Sequence, residues 1–312
     1  MRLNFDQICQ FTIGAVSIEE TDDGIHFYRY TDKQADAFAT EARCFLKRSA
    51  HTSGIRIDFQ TNSESLDICV GSAGKYEVLV DDLTAFYQNF DIPSSISLHL
   101  DSGIKRVTIV LPSHSVGTIR WIDLDDDAIL SEVDYPFSFI FYGDSITQGW
   151  NSEKDSQSYA WLVSRYYNAN SMILGVGGSN FYPNTVDENG FDADVVIVAM
   201  GTNDYCGGFT LEEIRSNCSA YLARVCSIHS NAKRFFITPT WRADEDEVFA
   251  AGKLSDVCNI LAEEALRHKM IVVNGHTLIP HRSEYFVDGL HPNDLGFALY
   301  AQNLIKVLNQ HL

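Results

Sequence analysis

The chain has 312 residues, 45% hydrophobic and 21% charged, which is enough apolar length for one large core or two. Its 42 acidic residues against 23 Lys and Arg give a formal net charge of -19, which argues against nucleic acid and anionic membrane surfaces as partners. The 7 cysteines are odd in number and include no CxxC pair, so reduced buried thiols are expected and a disulfide framework or zinc site is not. Residues 1–7 show no basic segment leading into a long apolar one, and no apolar stretch is long enough to cross a bilayer, so a cytoplasmic location is the expectation. Acidic runs such as Asp123-Leu124-Asp125-Asp126-Asp127 lack the ligand spacing and glycine turn of a calcium loop and read as solvated turns.

Up to about residue 135 the pattern is short and alternating. Residues 54–59, 66–70, 95–100, 106–111 and 118–124 place apolar side chains at every second position, as half-buried strands do. Gly71-Ser72-Ala73-Gly74, Asp101-Ser102-Gly103 and Pro112-Ser113-His114-Ser115 provide turns. With no strong helical segment among them, these strands predict an antiparallel β-sandwich over residues 1–135. His51 and His99 fall among strand residues and are expected to be structural or on the surface; no residue of this region carries obvious chemistry, and the sandwich reads equally as a glycan-binding unit or as a structural appendage.

From residue 137 the texture changes, and strand-like apolar runs alternate with helical stretches, the signature of a parallel sheet built from βαβ units. Strands are predicted ending at Tyr142 and over 171–174, 195–200, 234–238 and 271–273. Helices are predicted through 159–166, from the capping box Thr210/Glu213 to about 228, over 247–269 and over 293–312. The expected result is a three-layer α/β/α unit over residues 136–312, with the boundary at Val133-Asp134-Tyr135-Pro136.

Unusual residues collect at the predicted strand ends, where open α/β sheets bind ligands. They are Gly143-Asp144-Ser145-Ile146-Thr147, Gly175-Val176-Gly177-Gly178-Ser179-Asn180, Gly201-Thr202-Asn203-Asp204 and, ahead of the last helix, Asp288-Gly289-Leu290-His291-Pro292-Asn293. Each alone is ordinary: glycine and Asn/Asp favour turns, and a lone histidine is more often structural than catalytic. A dinucleotide fingerprint would need glycine where Asn180 stands, and the GxSxG elbow of α/β-hydrolases is broken by Thr147. No H-E-x-x-H and no Cys/His cluster is present, so neither a metal nor another cofactor is expected.

Taken together, the four blocks resemble those of the SGNH hydrolases, the GDSL-type esterases and lipases, over residues 137–312. The resemblance implies a flavodoxin-like fold and a role for each residue. Ser145 would be the nucleophile, and it needs a base because a serine hydroxyl attacks poorly at neutral pH. His291 would be that base and later protonate the leaving alcohol, while Asp288, three residues earlier, would orient the imidazole. The oxyanion donors would be the backbone N–H of Ser145, the backbone N–H of Gly178 and the side-chain amide of Asn203. Gly175 and Gly177 lie close to Gly178, which is chosen by register. His276 and His281 lack an acid three residues before them. Trp150, Tyr182, Tyr205 and Trp241 follow blocks or strand ends and read equally as sugar-facing walls or as packing. The plan of an N-terminal β-sandwich, jelly-roll-like, before such a unit resembles the carbohydrate acetylesterases. That implies hydrolysis of short acyl esters, acetyl first, on a small-molecule or oligosaccharide substrate. The alternatives are a thioesterase or lysophospholipase of the same superfamily and a non-catalytic glycan-binding protein.

Overall fold

The computed structural model of the protein describes residues 1–312. Before residue 133, the strands in chain order are β1 (Thr12–Ile13), β2 (Ser17–Thr21), β3 (Gly24–Tyr28), β4 (Arg56–Thr61), β5 (Ser65–Val70), β6 (Gly74–Val80), β7 (Leu83–Phe90), β8 (Ser94–His99), β9 (Lys105–Val110), β10 (Thr118–Leu124) and β11 (Leu130–Glu132). They form two antiparallel sheets. One runs β1-β4-β9-β6-β7 with β11 beside β4, and the other runs β2-β3-β10-β5-β8. Alternation sorts the side chains as the sequence predicts: in β5, Leu66, Ile68 and Val70 are buried while Ser65, Asp67 and Cys69 are not. These meet Ile57, Phe59, Val107 and Ile109 of the facing sheet in one apolar core.

The N-terminal region also holds helices that the sequence does not announce. Three short helices lie there: α1 (Phe5–Phe11), α2 (Asp32–Glu41) and α3 (Arg43–Ser49). Capping boxes begin the first two, Asn4 with Gln7 and Thr31 with Gln34. Each of the three buries only two residues, too few to leave a helical period in the sequence.

The second part builds a parallel sheet from β12 (Phe137–Gly143), β13 (Ala169–Gly175), β14 (Val195–Ala199), β15 (Lys233–Ile237) and β16 (Ile271–Val273), in the order β13-β12-β14-β15-β16. The helices are α4 (Ser145–Gln148), α5 (Tyr159–Tyr166), α6 (Thr202–Cys206), α7 (Leu211–Ile228), α8 (Leu254–Arg267) and α9 (Asp294–Leu308). β12 shows why its sequence is apolar without a break: Ile140 and Tyr142 pack with α7 and α8, whereas Phe139 and Phe141 pack with α5 and α9. The order reverses at β12, so the crevice outside its C-terminal end is the switch point of the sheet.

Helix α7 starts at the predicted capping box. Helix α8 is shorter than the predicted 247–269. Phe249 and Gly252 form an isolated bridge, Gly252 has φ +88°, and the helix begins only after Lys253. The last helix ends at Leu308, before the predicted 312. The two parts of the chain share a core, because Leu79 of β6 and Val110 of β9 pack with Phe139 and Phe141. Arg56 crosses the same boundary, donating to Ala169 O at 2.8 Å and Ser171 Oγ at 3.1 Å.

Candidate active site

Strand β12 ends at Gly143, where a Cβ would stand 1.9 Å from Thr147 Oγ1, so only glycine fits. Asp144 then caps the one-turn helix α4 by accepting the Ile146 N–H on Oδ1 at 2.9 Å. This turn puts Ser145 at the first helical position, where a backbone N–H has no intrahelical acceptor.

Across the crevice, the loop before α9 folds around one carboxylate. Asp288 Oδ1 accepts the backbone N–H of Leu290 at 3.1 Å and of His291 at 2.8 Å, with Gly289 at φ +80° making the turn. Asp288 Oδ2 lies 2.7 Å from His291 Nδ1, and His291 Nε2 lies 2.9 Å from Ser145 Oγ. An ionised carboxylate can only accept, so Nδ1 carries the imidazole proton and Nε2 is left to accept from Ser145. Burial opposes ionisation of Asp288, but the backbone N–H and ring of His291 outweigh it and hold the carboxyl below its ordinary range.

The three candidate oxyanion glycines separate cleanly. Gly175 is the last residue of β13, and Gly177 gives its N–H to Gln148 Oε1 at 2.8 Å. Gly178, at φ +81°, lines the cleft, and its N–H has no acceptor within the protein. Asn203 lines the same cleft with one amide N–H given to Ser179 O at 3.0 Å, leaving the other. The cleft measures about 220 Å³ and brings Ser145, His291, Gly178 and Asn203 together with Trp150 and Leu290.

The other aromatic candidates are not in it. Tyr205 is fully buried, and its hydroxyl donates to Asp244 O at 2.9 Å and Glu247 O at 2.6 Å, so it cannot face a sugar. Tyr182 packs on Phe45, and Trp241 packs on Phe286 and His281; neither lines the cleft. His276 pairs with Glu245 at 2.9 Å, away from Ser145. His51 is buried and holds Gln148, the structural role expected of it, and His99 is exposed. Arg48 of α3 also lines the cleft, although no residue before 135 carries obvious chemistry in the sequence. Nothing in the local sequence around Arg48 signals this.

Beneath Asn203, the Asp204 carboxyl ties two of the blocks together by accepting the Phe181 N–H at 3.1 Å, while its other oxygen has no partner. Burial pushes this carboxyl up to about 7 from 3.8. Between those values the folded protein keeps a proton that the unfolded chain has released, so this group makes stability fall as pH rises from about 4 to about 7. Asp144, raised by burial to about 6, acts in the same direction. Asp204→Asn keeps an acceptor for Phe181 without a charge. Thermal melts are expected to show the variant gaining on the parent as pH rises from 4 to 8, and a constant gap would count against a neutral Asp204.

Residues 141–299 match the GDSL-like lipase/acylhydrolase family. No curated protein matches the chain. Among solved structures, the chain is similar to the salicylyl-acyltransferase SsfX3 from a tetracycline biosynthetic pathway, with 20% identity over 96% of this chain and 94% of that one and a TM-score of 0.83. It is similar to a family two carbohydrate esterase from Cellvibrio japonicus, with 15% identity, coverage of 96% and 94%, and a TM-score of 0.70. A family two carbohydrate esterase from Clostridium thermocellum, in complex with cellohexaose, shares 18% identity over 83% of this chain and 93% of that one, with a TM-score of 0.67.

Proposed function

Since the chain belongs to the GDSL-like lipase/acylhydrolase family, we propose that it is a serine esterase removing short acyl groups, acetyl first, from carbohydrate. The observation that carries this reading is the hydrogen-bonded series Ser145–His291–Asp288 at the mouth of a cleft holding two further oxyanion donors. His291 takes the proton as Ser145 Oγ attacks the ester carbonyl. The tetrahedral oxyanion meets the N–H groups of Ser145 and Gly178 and the amide of Asn203, each worth on the order of a hundred- to a thousand-fold in rate. His291 then passes its proton to the leaving sugar oxygen, and water, activated by the same base, releases the acyl group from Ser145.

Two features support a short acyl group on a sugar. Trp150 and Leu290 are the only large apolar side chains lining the cleft, and a long acyl chain gains about 0.8 kcal/mol per methylene only where it is buried. Trp150 also offers an indole beside His291, with ring centroids 6.4 Å apart, as a surface for a sugar ring. The likeness to carbohydrate esterases, one of them solved with cellohexaose, agrees with this choice.

The test is hydrolysis of acetyl, butyryl and octanoyl 4-nitrophenyl esters, followed by acetate release from acetylated oligosaccharides. Acetyl is expected to be fastest. A clear octanoyl preference would move the reading to a thioesterase or lysophospholipase. An enzyme that hydrolyses none of these and does not react with a fluorophosphonate would be a binding protein instead.

A further inference from the structure

Arg48 reaches the cleft from α3, far outside the segment that matches the family. Its seat is built by Arg29, which is 1% exposed and has no carboxylate partner. Arg29 satisfies its guanidinium with backbone carbonyls alone. Nη1 donates to Ile173 O at 2.8 Å and Gly175 O at 2.9 Å, at the end of β13. Nη2 donates to Arg48 O at 3.1 Å, and Nε to His51 O at 2.6 Å. A single buried side chain thus joins the C-terminal end of α3 to the root of the glycine loop.

From that seat, Arg48 Nη1 donates to Gly177 O at 2.5 Å. Gly177 C=O and Gly178 N–H are the two ends of one peptide plane and point in opposite directions from a trans bond. Whatever fixes that carbonyl therefore aims the N–H. A charged donor on the carbonyl also polarises the amide and strengthens its N–H as a donor. The preceding peptide is held from the other side, where Gln148 Oε1 accepts the Gly177 N–H. Gln148 Nε2 is anchored in turn by Ser113 O at 2.6 Å and His51 Nδ1 at 3.2 Å. Burial, with Arg29 nearby, pulls His51 down to about 4, so its ring nitrogen remains an acceptor at neutral pH.

Two consecutive glycines need such a grip, because neither has a Cβ to restrict its backbone. Arg48 also closes the space around them: a Cβ on Gly178 would meet Arg48 Nη1 at 2.7 Å.

We propose that Arg48 is a positioning residue for the oxyanion hole, its guanidinium on Gly177 O aiming the Gly178 N–H at the acyl carbonyl on Ser145. The N-terminal region would then be part of the catalytic apparatus. This inference rests on the esterase reading above.

The test compares the parent with R48M and R48K on 4-nitrophenyl acetate, a neutral ester. R48M is expected to lose about ten- to a hundred-fold in kcat, the scale of a misaimed or lost donor, with KM changed by less than about two-fold. Phenylboronic acid, which forms a tetrahedral adduct on the serine, is expected to bind R48M more weakly by a similar factor. The pH–rate profile is expected to stay in place, and R48K to recover part of kcat. R48K keeps the charge and much of the length, so it carries the boronate comparison if R48M does not fold.

An R48M enzyme with unchanged kcat would overturn the inference and leave the esterase reading standing. A rise in KM alone, seen chiefly with a carboxylate-bearing ester, would also overturn it and make Arg48 an anion-binding group. A parent that hydrolyses no ester would overturn both.

Discussion

Ser145→Ala is expected to lower kcat/KM for 4-nitrophenyl acetate by about 10⁴- to 10⁶-fold, with a melting temperature close to the parent's. Ser145 is 5% exposed, and its Oγ makes one hydrogen bond, to His291, so its removal leaves no buried partner stranded without access to the cleft. The backbone N–H of residue 145 survives, as do Gly178 and Asn203. The variant should therefore still bind ester and keep the part of the rate that electrostatic stabilisation supplies without a nucleophile. His291→Ala is expected to cost nearly as much, because the hydroxyl without its base is an alcohol in the wrong protonation state. The double variant should be no worse than either single one, since groups acting as a unit lose their effect together. Losses that multiply would mean that Ser145 and His291 act in separate steps. A Ser145→Ala variant within about ten-fold of the parent would remove Ser145 from the chemistry.

What the sequence made legible follows from where each signal is stored. The parallel strands could be read because both faces are buried; Phe139, Ile140, Phe141 and Tyr142 alternate between two cores, and every position is apolar. The four blocks that meet at the cleft could be read because strand ends force glycine and short polar residues into fixed order. Gly143 has no space for a Cβ, and Asp288 must cap its own loop to orient His291. Tyr205 failed for a reason local to α6. It stands two positions after Asn203, about 200° around a helix, so if Asn203 faces the cleft Tyr205 faces the core. β7 escaped because most of its residues are exposed on both faces, which leaves no alternation. Arg48 could not be found at all. Its contact with Gly177 spans 129 residues of chain and depends on a helix with two buried residues, so no local pattern records it.

Asp288→Asn is expected to lower kcat by about a thousand-fold with little change in KM, and the reason lies in the loop as much as in the charge. The carboxylate has two acceptor oxygens and uses both: Oδ1 takes the backbone N–H groups of Leu290 and His291, and Oδ2 faces the ring Nδ1. An amide has one. If its oxygen keeps the two backbone donors, its NH2 meets Nδ1, the ring proton moves to Nε2, and His291 can no longer accept from Ser145. If it turns to face Nδ1, the NH2 confronts two backbone donors and the loop opens. The first arrangement preserves more hydrogen bonds, so the wrong tautomer should dominate. A fully buried aspartate in such a role loses about 10⁴ on the same change. The Asp288 side chain is 48% exposed, which lets water share the work and sets the expectation lower. Stability gives an independent reading. Burial disfavours the ionised carboxyl, but the His291 backbone and ring prevail and its folded value lies below 3.8, so its stabilisation is complete above about pH 4 and is lost as pH falls through that lower value. The gap in melting temperature between parent and Asp288→Asn should accordingly narrow in acid. A variant retaining more than about a tenth of parental kcat would show that Ser145 and His291 suffice as a pair, with Asp288 shaping the loop alone.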